Sequence, residues 1–394
     1  MPWELMKDPA RASPLVLDGV RISRSLPSTG TVPSFGVAGE RLRVLMVISR
    51  PAGASDVAYQ MIARPLVSRL SAVRGLVDLV VLRPPTLEAL RQELARAVQA
   101  GQPYQVVHFD GHGVLDQTPA PASGQGGGMF AGGGGSGVLV FEKPTGGPEP
   151  VQAGTLAQVL AGGRVPVVVL NACQSGAVGK ELEAAVATRL LGEGAQAVVA
   201  MAYSVYATAA AEFMTAFYER LFAGDLVSDA VAAGRARMAH RNLRHSPKGP
   251  VPLQDWIIPV HYKRSDVSFP QLKTTHEPTA SLDELLDQAQ QKKAGQAGAG
   301  GQVEPGVDPL APTETFVGRD DVFYQVETGL QHRRGVLLHG PGGTGKTEVA
   351  KAFGRWAAAT RGVERPGWVG PYPRYVDTGC DYAAVLSVAA WLVS

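Results

Sequence analysis

Two stretches decide the fold: YQVVHFDGHG at residues 104–113 and RVPVVVLNACQSG at residues 164–176. Each is an apolar, β-branched run too short for a helix, so each reads as a buried strand. Each ends in small residues and then presents a reactive side chain, His112 in one and Cys173 in the other. Outward from this pair the same texture repeats. RLRVLMVIS (41–49), VDLVVLR (77–83), GVLVFE (137–142) and QAVVAM (196–201) read as further strands. Between them, apolar positions at helical spacing predict helices over 55–72, 87–100, 153–163, 180–191, 204–223 and 227–241. DWIIPVHY (255–262) closes the unit. Strands alternating with helices imply an α/β fold with a mainly parallel sheet flanked by helices.

The periodic region spans residues 41–264. Residues 1–40, rich in Pro, Ser and Arg, read as irregular. ASGQGGGMFAGGGGSG (122–137) is a loop by composition, and residues 265–313 form a flexible linker with one polar helical stretch, SLDELLDQAQQKK. A second, truncated α/β domain is expected over 314–394. The 394 residues are 45% hydrophobic and carry a net charge of +2, so composition makes no case for nucleic acid or an anionic membrane as partner. No apolar run approaches the roughly 18 residues of a membrane span, and the first residues lack the apolar core of a secretory signal. Two cysteines do not make a disulfide framework. A reducing cytoplasm is the expected compartment, and it keeps a nucleophilic thiol usable.

In an open α/β sheet, ligands gather beyond the carboxyl ends of the strands. His112 and Cys173 both follow strands, so two residues 61 positions apart are expected to meet at one sheet edge. An adjacent imidazole takes the thiol proton and leaves the thiolate, which is the nucleophile. Gly113 would let its backbone N–H approach a developing oxyanion. A lone cysteine behind a buried strand is by itself an ordinary core residue; the pairing with an upstream His-Gly gives it chemical meaning. His108, Asp110 and His112 alternate and would share a strand face, the start of a metal site, but no other histidine cluster completes one and Gly111 is expected to interrupt the strand.

VVHFDGHGV, VLVFE, VVVLNACQSG, ATRLLGEGAQAVVAM, AAEFMTAFYERLFAG and DWIIPVHY occur in that order. On these segments, residues 1–264 resemble the CHAT family, bacterial relatives of caspases and separase. The resemblance implies a cysteine endopeptidase with a His–Cys dyad, which falls on His112 and Cys173, and a protein substrate. It also implies that PWELMKDP and ISRSL come from inside a longer family domain, so that residues 1–40 would be the end of an upstream half. Basic-specific members of the wider clan carry Asp two places before the nucleophile. Here Asn171 stands there, which shifts the expected P1 residue towards an uncharged one, with Asp110 and Asp116 as further candidates to line the pocket.

GPGGTGKT (340–347) matches the phosphate-binding pattern G-x-x-x-x-G-K-[ST], between an expected strand at 335–339 and an expected helix from Thr347. Gly340, Pro341, Gly342, Gly343, Thr344 and Gly345 would cradle phosphate oxygens, Lys346 would reach the β- and γ-phosphates, and Thr347 would hold Mg²⁺ through the nucleotide. The preceding TFVGRDDVF resembles the lead-in of AAA-like signalling ATPases of the STAND class, which implies adenine near Val317 and Gly318. Asp377 follows too closely and too polar a run to be the second acidic strand, so ATP with Mg²⁺ is expected to bind without an evident means of hydrolysis. Cys380 carries no expected chemistry. Together these readings point to a caspase-like effector peptidase governed by a nucleotide-binding module in bacterial signalling or defence, with sensor regions lying outside this chain. The alternatives are a non-catalytic CHAT-fold interaction module attached to a nucleotide-binding protein and an ATP-driven machine.

Overall fold

The computed structural model describes residues 3–26, 41–53, 77–116, 136–172, 179–202, 207–246, 249–269, 319–333, 335–341, 343–363, 374–376 and 383–385. The expected helix at 55–72, Cys173, nearly all of the Gly-rich loop and the linker, and Val317, Gly318, Gly342, Asp377 and Cys380 lie outside the described residues.

The molecule is built on one nine-stranded sheet among these residues. Its strands in chain order are β1 (Arg24–Ser25), β2 (Leu42–Ile48), β3 (Val77–Val81), β4 (Val106–Asp116), β5 (Ser136–Glu142), β6 (Pro148–Gln152), β7 (Val167–Ala172), β8 (Ala197–Met201) and β11 (Pro259–Lys263). The spatial order is β1-β11-β8-β7-β4-β2-β3, with β5 and β6 extending from β4. The central strands pair in parallel, and β11 runs antiparallel to β8. β9 (Leu243–Ser246) and β10 (Gly249–Pro252) form a separate hairpin. From β2 the chain moves outward to β3, whereas from β4 it moves towards β7 and β8. The β2–β4 boundary is therefore where the strand order reverses, the place where such sheets open a crevice.

Helices cover both faces. α1 (Leu87–Gln99), α2 (Ala153–Gly162) and α3 (Gly179–Gly192) pack with Leu45, Val47, Val107, Phe109, Val168 and Leu170. α4 (Ala207–Phe222) and α5 (Val227–His240) pack on the opposite face with Met46, Val169 and Val199. α1 shows the local logic. Thr86 caps it by accepting from the Ala89 N–H at 3.1 Å, and Leu90, Leu94 and Ala97 recur at helical spacing on its buried side.

Residues 3–26 are mostly without regular structure, as their composition suggests, yet they belong to this core. Val16 is 1% exposed, β1 pairs with β11, and the Glu4 carboxylate meets Arg235 at 3.2 Å with both side chains buried.

α6 (Asp320–His332) and α7 (Lys346–Ala359) pack on the same face as α4 and α5, placing Phe323, Val349, Phe353 and Trp356 in its apolar cluster. Arg83, just after β3, pairs with the Glu327 carboxylate and donates to Thr360 Oγ1 at 2.7 Å. Residues 335–339, expected as a strand, are irregular, because no described strand offers them a ladder. Among the described residues no helix is long and apolar enough to cross a membrane.

Candidate active site at the β4 and β7 ends

β4 and β7 lie side by side and in register, with His108 opposite Val169, Asp110 opposite Asn171 and Gly111 opposite Ala172. That last pair stands immediately before His112 and Cys173. Adjacent strands are about 4.8 Å apart, so the chain leaves Gly111 and Ala172 at one level of one sheet edge. Cys173 itself lies outside the described residues. His112 is half-buried and begins the second half of β4, where pairing passes to β5 with His112 opposite Val140 and Gly113 opposite Leu139.

The strand does not stop at Gly111, contrary to the sequence expectation; it runs on to Asp116. Glycine is demanded at 111 by crowding. A Cβ there would stand 2.9 Å from the Phe109 ring and 3.2 Å from Ser49 Cβ. Gly113 has its own packing reason, since a Cβ would meet Leu182 Cδ2 at 2.6 Å and the Ala172 carbonyl oxygen at 3.5 Å.

Directly behind the expected dyad positions lies a buried row that includes Asp110 and Asn171, the two residues expected to face the substrate pocket, together with Arg50. Arg50 follows β2, Asp110 lies within β4 and Asn171 near the end of β7, and they are 2%, 2% and 3% exposed. Arg50 Nη2 donates to Asp110 Oδ2 at 2.8 Å, and Asn171 Nδ2 donates to Asp110 Oδ1 at 3.0 Å. Arg50 Nη1 also donates to the main-chain oxygens of Ser49 and Asp110, at 3.0 and 2.9 Å. Asp110 is therefore engaged on both carboxylate oxygens and buried, and the Asn171 amide points its donor into the protein. Arg50 gave no motif signal; only its position, one residue past the β2 apolar run and ending the same crevice, would have marked it.

His108, one row deeper, is fully buried, and neither ring nitrogen finds a hydrogen-bond partner among the described residues. Burial holds its pKa down to about 4, against an opposing pull from the Asp110 charge. The ring is neutral at physiological pH. Among the described residues no group of three His, Cys, Asp or Glu side chains is placed to hold a metal.

The residues expected to form a phosphate loop lie apart in sequence, and the described ones, 340–341 and 343–347, turn at positive-φ glycines. Gly340, Gly343 and Gly345 take φ values of 146°, 78° and 79°, which only glycine adopts readily, and α7 starts at Lys346. Lys346 Nζ donates to the carbonyl oxygens of Gly340 and Pro341, both at 2.7 Å, and Thr344 Oγ1 donates to Pro341 O at 2.9 Å. Thr347, half-buried, occupies the first turn of α7. A lysine held over exposed, positive-φ glycines at a helix N-terminus is a donor set that fits a phosphate group.

The fold and the site edge define a mixed α/β protein with a mostly parallel central sheet, compatible with the caspase-like type. The profile of the family described as CHAT domain matches residues 1–256. The chain belongs to the CHAT-domain family. No curated protein matches it. Among solved structures it is similar to the crystal structure of protein GSU0716 from Geobacter sulfurreducens, at 13% identity and a TM-score of 0.32, covering 59% of this chain and 94% of that one.

Proposed function

We propose that this chain is a cysteine endopeptidase in which His112 takes the thiol proton of Cys173, and that the peptidase is the effector of a nucleotide-regulated bacterial signalling or defence protein in the cytoplasm. The observation that carries the reading is the register of β4 and β7, which brings Gly111 level with Ala172 one residue before each dyad member. The thiolate attacks the carbonyl carbon of a scissile peptide bond in a protein substrate. The C–N bond then breaks, the amine leaves with the proton held by His112, and water hydrolyses the resulting thioester. Gly113 would supply an N–H to the developing oxyanion.

The nucleotide part of the proposal rests on the turn at 340–347. Lys346 and Thr347 would hold the phosphates and Mg²⁺ of ATP, whose binding supplies the charge that reorganises the loop. Support for coupling comes from the packing of α6 and α7 on the sheet, where Tyr324 Oη donates to the Arg50 carbonyl oxygen at 3.0 Å. Sensor regions outside this chain would complete the switch.

Treating the full chain with an electrophilic peptide probe tests the enzyme reading. Labelling at Cys173 that disappears in Cys173→Ala and His112→Ala is the expected result. Unchanged labelling in Cys173→Ala would instead favour a non-catalytic interaction module.

A further inference from the structure

Residues two places before each dyad member are joined to each other. We propose that Arg50, Asp110 and Asn171 are positioning residues that fix the spacing of His112 and Cys173, and that Asn171 does not read the substrate. The inference rests on the peptidase reading above and extends it.

The geometry runs as one row across three neighbouring strands. Asp110 pairs in register with Asn171 on one side and with Ile48 on the other, and Arg50 follows Ile48 by two residues. The Asp110 carboxylate accepts from Arg50 at 2.8 Å and from Asn171 at 3.0 Å, so one anion ties β2, β4 and β7 together. The main chain repeats the tie. The Asp110 carbonyl accepts from the Ser49 N–H and from Arg50 Nη1, both at 2.9 Å. Arg50 is itself fixed by its N–H, which donates to Glu142 Oε1 at 2.7 Å. All three side chains are nine-tenths or more buried. A charged pair with both carboxylate oxygens engaged in a dry setting is stiff, and stiffness two residues upstream of a nucleophile and its base sets where they meet.

The arrangement also states which residue belongs at 171. A donor is required to face Asp110. A carboxylate there would put two buried anions at hydrogen-bond distance, and only one would ionise. Asn171→Asp therefore separates two accounts of the position. If residue 171 reads P1, the change creates a preference for Arg or Lys. If it positions the dyad, the change slows the chemistry and leaves the P1 preference alone.

The experiment uses the full chain, an electrophilic peptide probe series varied at P1, and four proteins: wild type, N171D, D110N and the exchange D110N/N171D. The exchange restores one carboxylate and one amide across the same pair of strands. Misplacement of reacting groups by about 1 Å costs on the order of 100-fold in rate. The expected result is a loss of that order in maximal labelling rate for N171D, with little change in the probe concentration at half-maximal rate and an unchanged P1 profile. The exchange should recover most of the rate. Wild-type labelling rate in N171D, or a gained preference for basic P1, would overturn the proposal. Should wild type and C173A label alike, the peptidase reading fails, and the row is then judged by thermal unfolding of the same four proteins. A melting temperature lowered in N171D and restored in the exchange sustains the cross-strand tie; additive losses overturn it.

Discussion

At the scale of single residues, the sheet holds buried charge at Arg50 and Asp110 and buried neutral base at His108 and His261. His108 titrates near 4 in the fold against an ordinary 6.5, because burial disfavours its protonated form. His261, with Nδ1 at 2.7 Å from Ser23 Oγ, is held lower still, at about 3, by burial and by the nearby Arg235 and Lys263 charges. Both shifts are downward for a base, so the unfolded chain binds protons that the folded chain does not. Their contribution to stability is full above about pH 6.5 and is lost as pH falls towards 4 and below. For His108 the span corresponds to roughly 3 kcal/mol. Chemical denaturation between pH 7 and 4 should therefore show a steep fall in stability that is shallower in His108→Leu. Leucine also removes two ring nitrogens that have no partner among the described residues, so at pH 7 the variant should be as stable as wild type or gain about 1 kcal/mol. An identical pH slope in the two proteins would contradict the assignment. Arg50→Ala is the opposite case. It strands the Asp110 carboxylate in a dry site, and breaking a buried pair in this way costs about 3–5 kcal/mol. Urea midpoints would read the loss.

At the scale of elements, the central strands and their helices were legible because their signals are local. β2, β7 and β8 each carry an apolar run (VLMVI, VVVL and AVVAM), and α1 carries its cap and its apolar stripe in one short segment. Strands that exist through their pairing and not through an apolar run of their own were not legible. β6 has two prolines in PEPVQ and exists because β5 offers it a ladder. The β9–β10 hairpin lies in polar, Pro-containing sequence and pairs only with itself. Residues 335–339 have strand composition but no strand beside them among the described residues. For the site, the sequence pattern picked out the level of Gly111 and Ala172, where the β4–β7 pairing stops although β4 itself continues, whereas Arg50 was invisible because its partner is 60 positions away. The inward orientation of Asn171 was invisible for the same reason, since its amide bonds across strands. The join between β5 and α3 gives a further prediction. A Cβ on Gly137 would stand 2.4 Å from Val186 Cγ2 and 3.1 Å from the Val186 backbone nitrogen. Gly137→Ala should push α3 off the sheet and cost about 1–3 kcal/mol by overpacking, seen as a lower melting temperature. An unchanged melting temperature would show that α3 yields freely.

At the scale of the whole molecule, α6 and α7 are part of the same packed body as the strands leading to His112. Arg83 joins β3 to Glu327 of α6, Arg361 Nη2 lies 2.7 Å from Asp78 Oδ1, and Trp356 Nε1 donates to Glu327 Oε2 at 3.3 Å. Glu327→Ala breaks this group and should cost about 3 kcal/mol, with faster amide exchange concentrated in α6 and α7. Exchange unchanged there would place the stability of these helices elsewhere. Lys346→Ala should abolish ATP binding in a calorimetric titration while leaving Cys173 available to the peptide probe, which separates the two functions of the proposal. The pairing of His112 with Cys173 is read out by the rate of alkylation of Cys173 at pH 7, resolved by mass spectrometry with Cys380 as internal reference. Loss of a general base slows its step by on the order of 100-fold or more. His112→Ala should slow alkylation of Cys173 by at least that factor and leave Cys380 unchanged. Equal rates at Cys173 in wild type and His112→Ala would contradict the pairing.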